Sequence, residues 1–256
     1  MQIIHIPAFN DNYIWLIKEE NSNDCVVVDP GDAAPVEQRL KDIGGQLSSI
    51  LITHHHADHI GGVERLLASY PQARVYAPKN AKYSFEHQVV NEASIITPEG
   101  LNSPFSVIEV PGHTLDHIAY LSEGHLFIGD TLFSAGCGRL FEGSAEQMHQ
   151  SLSKIKKLSP ETLVYAAHEY TQANLQFALA AEPDNVELHS YQQQVSKLRQ
   201  MGLPSLPTSL NQQLAINPFL RCDNANIKAA VELEELQPLN NEIAVFASLR
   251  SWKDRF

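Results

Sequence analysis

Short apolar runs alternate with helix-spaced stretches as far as residue 168, and helix-spaced stretches dominate beyond it. IIHIPAF, YIWLIKE and CVVVDP are apolar runs closed by turn residues, which predicts three strands. PVEQRLKDIG predicts a helix stopped by Gly44 and Gly45. SSILIT predicts a strand that delivers the chain into THHHADH, and GGVERLLASYP a helix ending near Pro71. RVYAP, FSVIEVPG, HIAYLSEG and HLFIGDT predict further strands, and TLVYAAH the last one. Between the final two, Met148, Leu152, Ile155 and Leu158 have helical spacing. After His168, TQANLQFALAAEPDN, VELHSYQQQVSKLRQMG, NIKAAVELEEL and NEIAVFASLRSWKDRF all predict helices. LPSLPTSLNQQLAINPFL, with Pro204, Pro207 and Pro218, reads as a loop. The expected plan is therefore a mixed α/β (α+β) domain over 1–168 and a smaller helical domain over 169–256.

Composition narrows the function. The 256 residues have room for one large domain, or for one domain and a small companion. With 18 Lys+Arg against 30 Asp+Glu the net charge is -12, which argues against a nucleic-acid partner. An anionic substrate would need a local positive patch, part of which bound cations would supply. No apolar run approaches the length of a membrane span, and the N-terminal stretch carries no basic leader. The three cysteines, Cys25, Cys137 and Cys222, form no CxxC pair, which suits a reducing compartment. A cytoplasmic monomer is the expectation. Cys25 reads as a core residue, and Cys137, in the Gly-rich AGCGRL, as a packing residue rather than a reactive thiol.

Seven residues carry the chemistry: His54, His56, Asp58 and His59 in THHHADH, His113 in PGHT, Asp130 in IGDT and His168 in AAHEYT. Imidazole nitrogen and carboxylate oxygen are ligands of zinc, iron and manganese. In extended chain His54 and His56 share a face, and Asp58 continues the phase. His59 opens the next helix and can turn to a second ion, while His55 falls out of phase. His113, Asp130 and His168 each follow a strand, and strand ends on one edge can converge. Seven ligands are too many for one tetrahedral ion and suit two ions sharing a bridge. Asp130 is the best bridge, because a carboxylate has two oxygens to share. An exposed polar loop would account for a stray histidine but not for four such ligands in six residues. Two divalent ions are expected, zinc by preference, with iron or manganese tolerated by the same ligands.

HxHxDH with a later His, Asp and His resembles the metallo-β-lactamase superfamily. THHHADH, GCGRLFEG, AHEYT and the C-terminal LRSWKDRF resemble the hydroxyacylglutathione hydrolase (glyoxalase II) family, over essentially the whole chain. The resemblance implies an αββα metallo-β-lactamase-like sandwich followed by a helical domain. It implies one metal on His54, His56 and His113, a second on Asp58, His59 and His168, and Asp130 bridging both with a water or hydroxide. Asp58 and Asp130 are then the catalytic carboxylates, and the hydroxide is the nucleophile. The implied substrate is a small molecule, S-D-lactoylglutathione, hydrolysed to D-lactate and glutathione. Its glutathione part would be held by Arg139, Phe141, Tyr170, Arg250 and Lys253. Phe141 cannot donate a hydroxyl hydrogen bond where some members have Tyr. Asp116 stands in GHTLDH where a Gly is usual, with no evident effect.

The chemistry fits the residues independently. A water activated by two cations attacks a thioester carbonyl, and a thiolate leaves without a dedicated general acid. Arg250 and Lys253 lie three apart on one predicted helix face; without the resemblance, a solvated helix C-terminus would explain them. Tyr170 could equally be a packed aromatic. Asp29 in VVVDPG reads as an orienting or turn-forming residue, and His117 as structural. His5, His87, His125, His149 and His189 have no partner spacing and are assigned no role. Rival readings are a phosphodiesterase or nuclease, a β-lactamase, a one-iron persulfide dioxygenase, and a non-catalytic metal-binding scaffold.

Overall fold

The strands expected from the apolar runs form, and a computed structural model describes all 256 residues as two compact units. One unit is Met1–Glu109 with Asp116–Gly129, the other Val110–Leu115 with Asp130–Phe256. No helix is long and apolar enough to cross a membrane.

In the first unit β1 (Gln2–Ala8), β2 (Asn12–Lys18) and β3 (Asp24–Val28) pair antiparallel. α1 (Ala33–Ile43) crosses over to β4 (Gln46–Leu51), which runs parallel to β3. The Asp32 side chain caps the start of α1, and Gly44, in the left-handed region, ends it as the sequence predicts. α2 (Ala57–Ile60) and α3 (Val63–Ser69) lead to β5 (Arg74–Ala77), and β6 (Gln88–Val89) completes the sheet. Val36 and Leu40 of α1, with Val63 and Leu66 of α3, pack on Ile6, Ile14, Val27 and Ile50. Val26 and Val28, alternating with Val27, are buried on the opposite face, which is why CVVVD is apolar throughout. β7 (Ile95–Ile96), β8 (Phe105–Glu109), β9 (Ile118–Ser122) and β10 (His125–Gly129) pair antiparallel in a second sheet. The fully buried Tyr120 hydroxyl of β9 crosses to the first sheet, 3.0 Å from the Ile52 carbonyl and 3.1 Å from that of Tyr76.

In the second unit β11 (Leu132–Phe133) and β12 (Gly136–Cys137) form a small hairpin. α4 (Ala145–Ile155) starts in a capping box between Ser144 and Gln147. β13 (Leu163–Ala166) is followed by α5 (Thr171–Ala181) and α6 (Val186–Gln200), then β14 (Thr208–Ser209), antiparallel to β13. α7 (Leu210–Ile216), a 3-10 turn over Pro218–Leu220, α8 (Ala225–Glu235) and α9 (Glu242–Arg255) complete the chain. Leu175 and Ala178 of α5 pack with Leu188, Tyr191 and Val195 of α6 and with Ile216 of α7.

The segment expected to be a loop is therefore largely structured, and TLVYAAH is not the last strand. α7 escaped the pattern because it is short and its polar residue Gln213 is fully buried, so the apolar stripe is interrupted. β6, β7, β11 and β12 are two residues each, too short to leave a periodic signal.

Candidate metal centre

The first unit contributes His54, His56, Asp58 and His59. β4 ends at Leu51, and the chain then passes through Thr53 and His54, both wholly buried. His54 and His56 do come together, with ring centroids 4.7 Å apart. Asp58, however, does not continue an extended phase: it lies with His59 in α2, whose N-cap is His56. The chain turns helical immediately after His56, and this brings the Asp58 Oδ2 to 3.6 Å from His59 Nε2. His59 also closes on His54, centroid to centroid 4.1 Å.

Asp29 organises this loop from the end of β3. Its backbone is in the left-handed region, φ 52°, a conformation disfavoured for a residue with a Cβ. Its Oδ1 accepts from Thr53 N at 2.8 Å, and its Oδ2 accepts from Thr53 Oγ1 at 2.7 Å and His59 Nδ1 at 3.0 Å. Thr53 Oγ1, with its proton spent on Asp29, accepts from His54 Nδ1 at 3.0 Å. Both imidazoles thus carry their proton on Nδ1 and present Nε2 as the ligating nitrogen. Asp29, His54 and His59 bring donor atoms within 4.8 Å of one another, and these hydrogen bonds account for that grouping. Asn12 Nδ2 donates to Asp58 Oδ2 at 3.0 Å and fixes that carboxylate. Gly31 is required by close approach: a Cβ there would lie 1.8 Å from the Asp58 carbonyl oxygen.

The second unit contributes His113, Asp130 and His168, all nearly buried. Asp130 Oδ2 lies 3.4 Å from His113 Nε2, and its Oδ1 lies 3.4 Å from His168 Nε2. Two atoms that each ligate one tetrahedral ion at about 2.1 Å stand about 3.4 Å apart. Each carboxylate oxygen of Asp130 therefore faces a different histidine at a separation that fits two ligands of one ion. The 3.6 Å between Asp58 and His59 is close to the same separation. His113 Nδ1 donates to the Arg139 carbonyl at 2.8 Å, which again turns Nε2 toward the carboxylate. Gly138 permits this: a Cβ there would meet the Asp130 carbonyl oxygen at 2.0 Å and His113 Nδ1 at 3.1 Å. All seven donor groups are imidazole nitrogen or carboxylate oxygen, so the residues fit a divalent transition metal.

The five residues assigned to substrate by resemblance all lie in the second unit. Tyr170 stacks on the His168 ring at 4.7 Å and 6°, and Phe133 meets both edge-on. Phe141, 64% exposed, lies edge-on to His113. Arg250 is not at a solvated helix end. It is 4% exposed, and it donates through Nη1 to the Cys137 carbonyl and through Nη2 to Asp254, each at 2.9 Å. Its guanidinium also stands 5.1 Å over the Phe219 ring. Lys253 Nζ lies 5.2 Å over Phe177. Burial, helped by the neighbouring Arg250, pulls the Lys253 pKa down. Arg139 Nε reaches within 3.7 Å of the same Asp254. Two guanidinium groups, those of Arg139 and Arg250, thus meet one carboxylate.

Comparison with known proteins gives this arrangement its family. The Metallo-beta-lactamase superfamily model matches residues 9–168, and the Hydroxyacylglutathione hydrolase C-terminus model matches residues 169–256. A protein of Aeromonas hydrophila named Hydroxyacylglutathione hydrolase is 53% identical, covering 99% of both chains. One of the same name from Aliivibrio fischeri is 50% identical over the whole of both. The chain belongs to the hydroxyacylglutathione hydrolase family. Among solved structures, ETHE1 from Myxococcus xanthus has the same fold, with a TM-score of 0.66 and 24% identity, covering 99% of this chain and 98% of that one. As a hydroxyacylglutathione hydrolase family member the chain has the metallo-β-lactamase fold, and that superfamily binds divalent metal.

Sequence reasoning left several residues of this family member's centre without a part. Thr53 and Asn12 carry no motif of their own, and their work depends on partners distant in the chain. The Arg139 contact to His113 is made by a backbone carbonyl, which no side-chain pattern encodes. His117, read from the sequence as structural, is stacked on His54 at 4.5 Å with Nδ1 on the Ile118 carbonyl.

Proposed function

We propose that this chain hydrolyses S-D-lactoylglutathione and related 2-hydroxyacylglutathione thioesters to the hydroxy acid and glutathione. Residues 1–168 would form the metal-binding catalytic domain and residues 169–256 the helical substrate-binding domain. His54, His56 and His113 would hold one ion and Asp58, His59 and His168 a second, with Asp130 between them. Zinc is the first candidate, with iron or manganese as alternatives. The ions, when bound, supply positive charge that polarises a carbonyl and makes water nucleophilic at neutral pH.

The chain's own residues do the rest. Asp29 and Thr53 fix the tautomers of His54 and His59, and the Arg139 carbonyl fixes that of His113. Asn12 keeps the Asp58 carboxylate in place. Arg139, Arg250 and Lys253 would receive the carboxylates of glutathione, and Tyr170 and Phe141 would border its thiol end. The leaving thiolate, with a solution pKa of about 8.5, departs without a proton donor. The chain would act on this small molecule as a cytoplasmic monomer, with no nucleic acid or membrane involved.

The observation that supports this reading best is the Asp130 carboxylate set between His113 and His168, in a unit that also brings Arg139 and Arg250 together at Asp254 on a chain of net charge -12. The test is turnover by the metal-loaded chain of S-D-lactoylglutathione, of a phosphodiester and of glutathione persulfide, side by side. Thioester hydrolysis well above the other two is expected. Preference for either of the others, or no thioester turnover in a sample shown to contain metal, overturns it.

A further inference from the structure

THHHADH contains a histidine that serves no ion in this scheme, and it is among the most heavily bonded side chains of the first unit. His55 is buried. Its Nε2 lies 2.7 Å from the Lys82 ammonium and its Nδ1 lies 2.9 Å from Asp116 Oδ1. An ammonium only donates, so Nε2 accepts and the proton sits on Nδ1, directed at Asp116; Asn80 Nδ2, 3.0 Å from the same Nδ1, then donates to Asp116 rather than to this nitrogen. The other oxygen of Asp116 accepts from Asn80 Nδ2 at 2.7 Å and stands 3.4 Å from the Tyr83 hydroxyl. Burial and the nearby Asp116 push the Tyr83 pKa far up, so this hydroxyl remains a donor. The Asp116 side chain is itself only 8% exposed. One carboxylate thereby ties three stretches of chain together: the THHHADH loop, the segment from Asn80 to Tyr83, and the turn before β9.

We propose that Asp116 is a positioning residue for the metal-binding loop, holding His55 and through its backbone the flanking imidazoles His54 and His56. The inference rests on the reading of those two histidines as metal ligands. Asp29 fixes His54 and His59 from the β3 side. The Asp116 clamp on His55, whose ring lies edge-on to that of His56 at 5.2 Å, acts on the same loop from its other side. A glycine at 116 offers no acceptor, so a chain with Gly there must hold His55 by other means.

The test compares Asp116→Ala, Asp116→Asn and the unaltered chain. Three quantities are read: affinity for Zn(II) by competition with a chromophoric chelator, the d–d spectrum of the Co(II)-loaded protein, and the Tm of the metal-free protein. Loss of an orienting partner of this kind typically weakens metal binding about 10- to 100-fold. Asp116→Ala is expected to fall in that range with an altered Co(II) spectrum. Asp116→Asn keeps one acceptor oxygen for His55 Nδ1 and is expected to recover most of the affinity. If both variants lower the metal-free Tm but bind zinc within twofold of the unaltered chain with an unchanged spectrum, the residue is only structural and the proposal fails. If Asp116→Ala does not fold, the outcome rests on Asp116→Asn, whose affinity must then exceed that of a His55→Ala variant or the proposal fails. An unaltered chain that binds metal but hydrolyses no thioester overturns the proposed function alone and leaves the clamp to be decided by affinity. A chain that binds no divalent metal overturns both.

Discussion

The Asp29 carboxylate accepts the Nδ1 proton of His59 across 3.0 Å, with both groups buried. The same carboxylate takes the Thr53 hydroxyl and amide, and through Thr53 it sets the tautomer of His54. Asp29→Ala leaves these donors without an acceptor and frees both rings to turn. Metal affinity should fall about 10- to 100-fold. Chelator competition measures it directly, and an affinity equal to that of the unaltered chain would remove Asp29 from the centre.

Asp130 divides its two oxygens between His113 and His168 at equal distances of 3.4 Å. A group serving only one ion would not need this symmetry. Asp130→Ala should therefore reduce bound metal from the two ions proposed to one or none, read by elemental analysis after gel filtration. Two ions still bound would exclude the bridge.

The parts of the fold legible in the sequence were those in which periodicity and burial agree. CVVVD and SSILIT are buried on both faces and read as continuous apolar strands, and α4 shows its buried Met148, Leu152 and Ile155 at helical spacing. α7 was not legible, because Gln213 and Asn217 are buried polar residues whose partners are loop carbonyls and amides elsewhere in the chain. At the candidate centre the His and Asp residues that cluster in each unit were legible because ligand chemistry restricts residue type. The helical turn at Asp58 was not, since a four-residue helix leaves no period to read. Arg250 shows a further limit: its position on α9 suggested an exposed end, yet the Cys137 carbonyl and the Phe219 ring enclose it.

That enclosure gives Arg250 and Lys253 different expected phenotypes. Lys253 makes contact through ring faces, and its loss leaves no buried acceptor unpaired. Lys253→Ala should raise KM on the order of tenfold with kcat nearly unchanged, as for a contact remote from the reacting bond. Arg250→Ala should raise KM as well, and should also lower stability by about 2 kcal/mol because the Cys137 carbonyl loses a charged donor. Steady-state kinetics with urea denaturation separates the two. A fall in kcat at constant KM for Lys253→Ala would contradict its placement on the distal part of the substrate.

Burial raises the pKa of all three thiols, that of Cys137 to about 11 against the pull of Arg250. A thiol whose folded pKa exceeds its unfolded value binds its proton more tightly when folded. The stability this contributes is complete below the unfolded value and is lost as pH rises from there toward the folded one, about 11 for Cys137. Unfolding midpoints should therefore fall with rising pH above roughly 8.5, the unperturbed thiol value. At pH 8 a disulfide reagent should leave the native thiols unmodified and titrate all three in denaturant. Rapid labelling of native Cys137 would show that its burial is not maintained in solution.

The loop that follows Asp130 is held by side chains from the stretch first read as irregular. Asn217, fully buried, donates through Nδ2 to the Phe133 and Gly136 carbonyls at 3.1 and 3.0 Å, and its Oδ1 accepts from Phe219 N. Gln213 Oε1 accepts from Ala135 N at 2.7 Å. Asn217→Ala would orphan two carbonyls and one amide in the interior, a loss of about 3 kcal/mol. Asn217→Asp keeps the size and the acceptor for Phe219 but sets a carboxylate oxygen against two carbonyl oxygens, so it should be no better than alanine. Guanidinium denaturation of the metal-free protein measures both. Because the same hairpin leads from Asp130 toward Gly138 and the carbonyl that orients His113, each variant should also bind less metal at equal chelator concentration. Wild-type stability in Asn217→Asp would mean that the loop is positioned by its backbone alone.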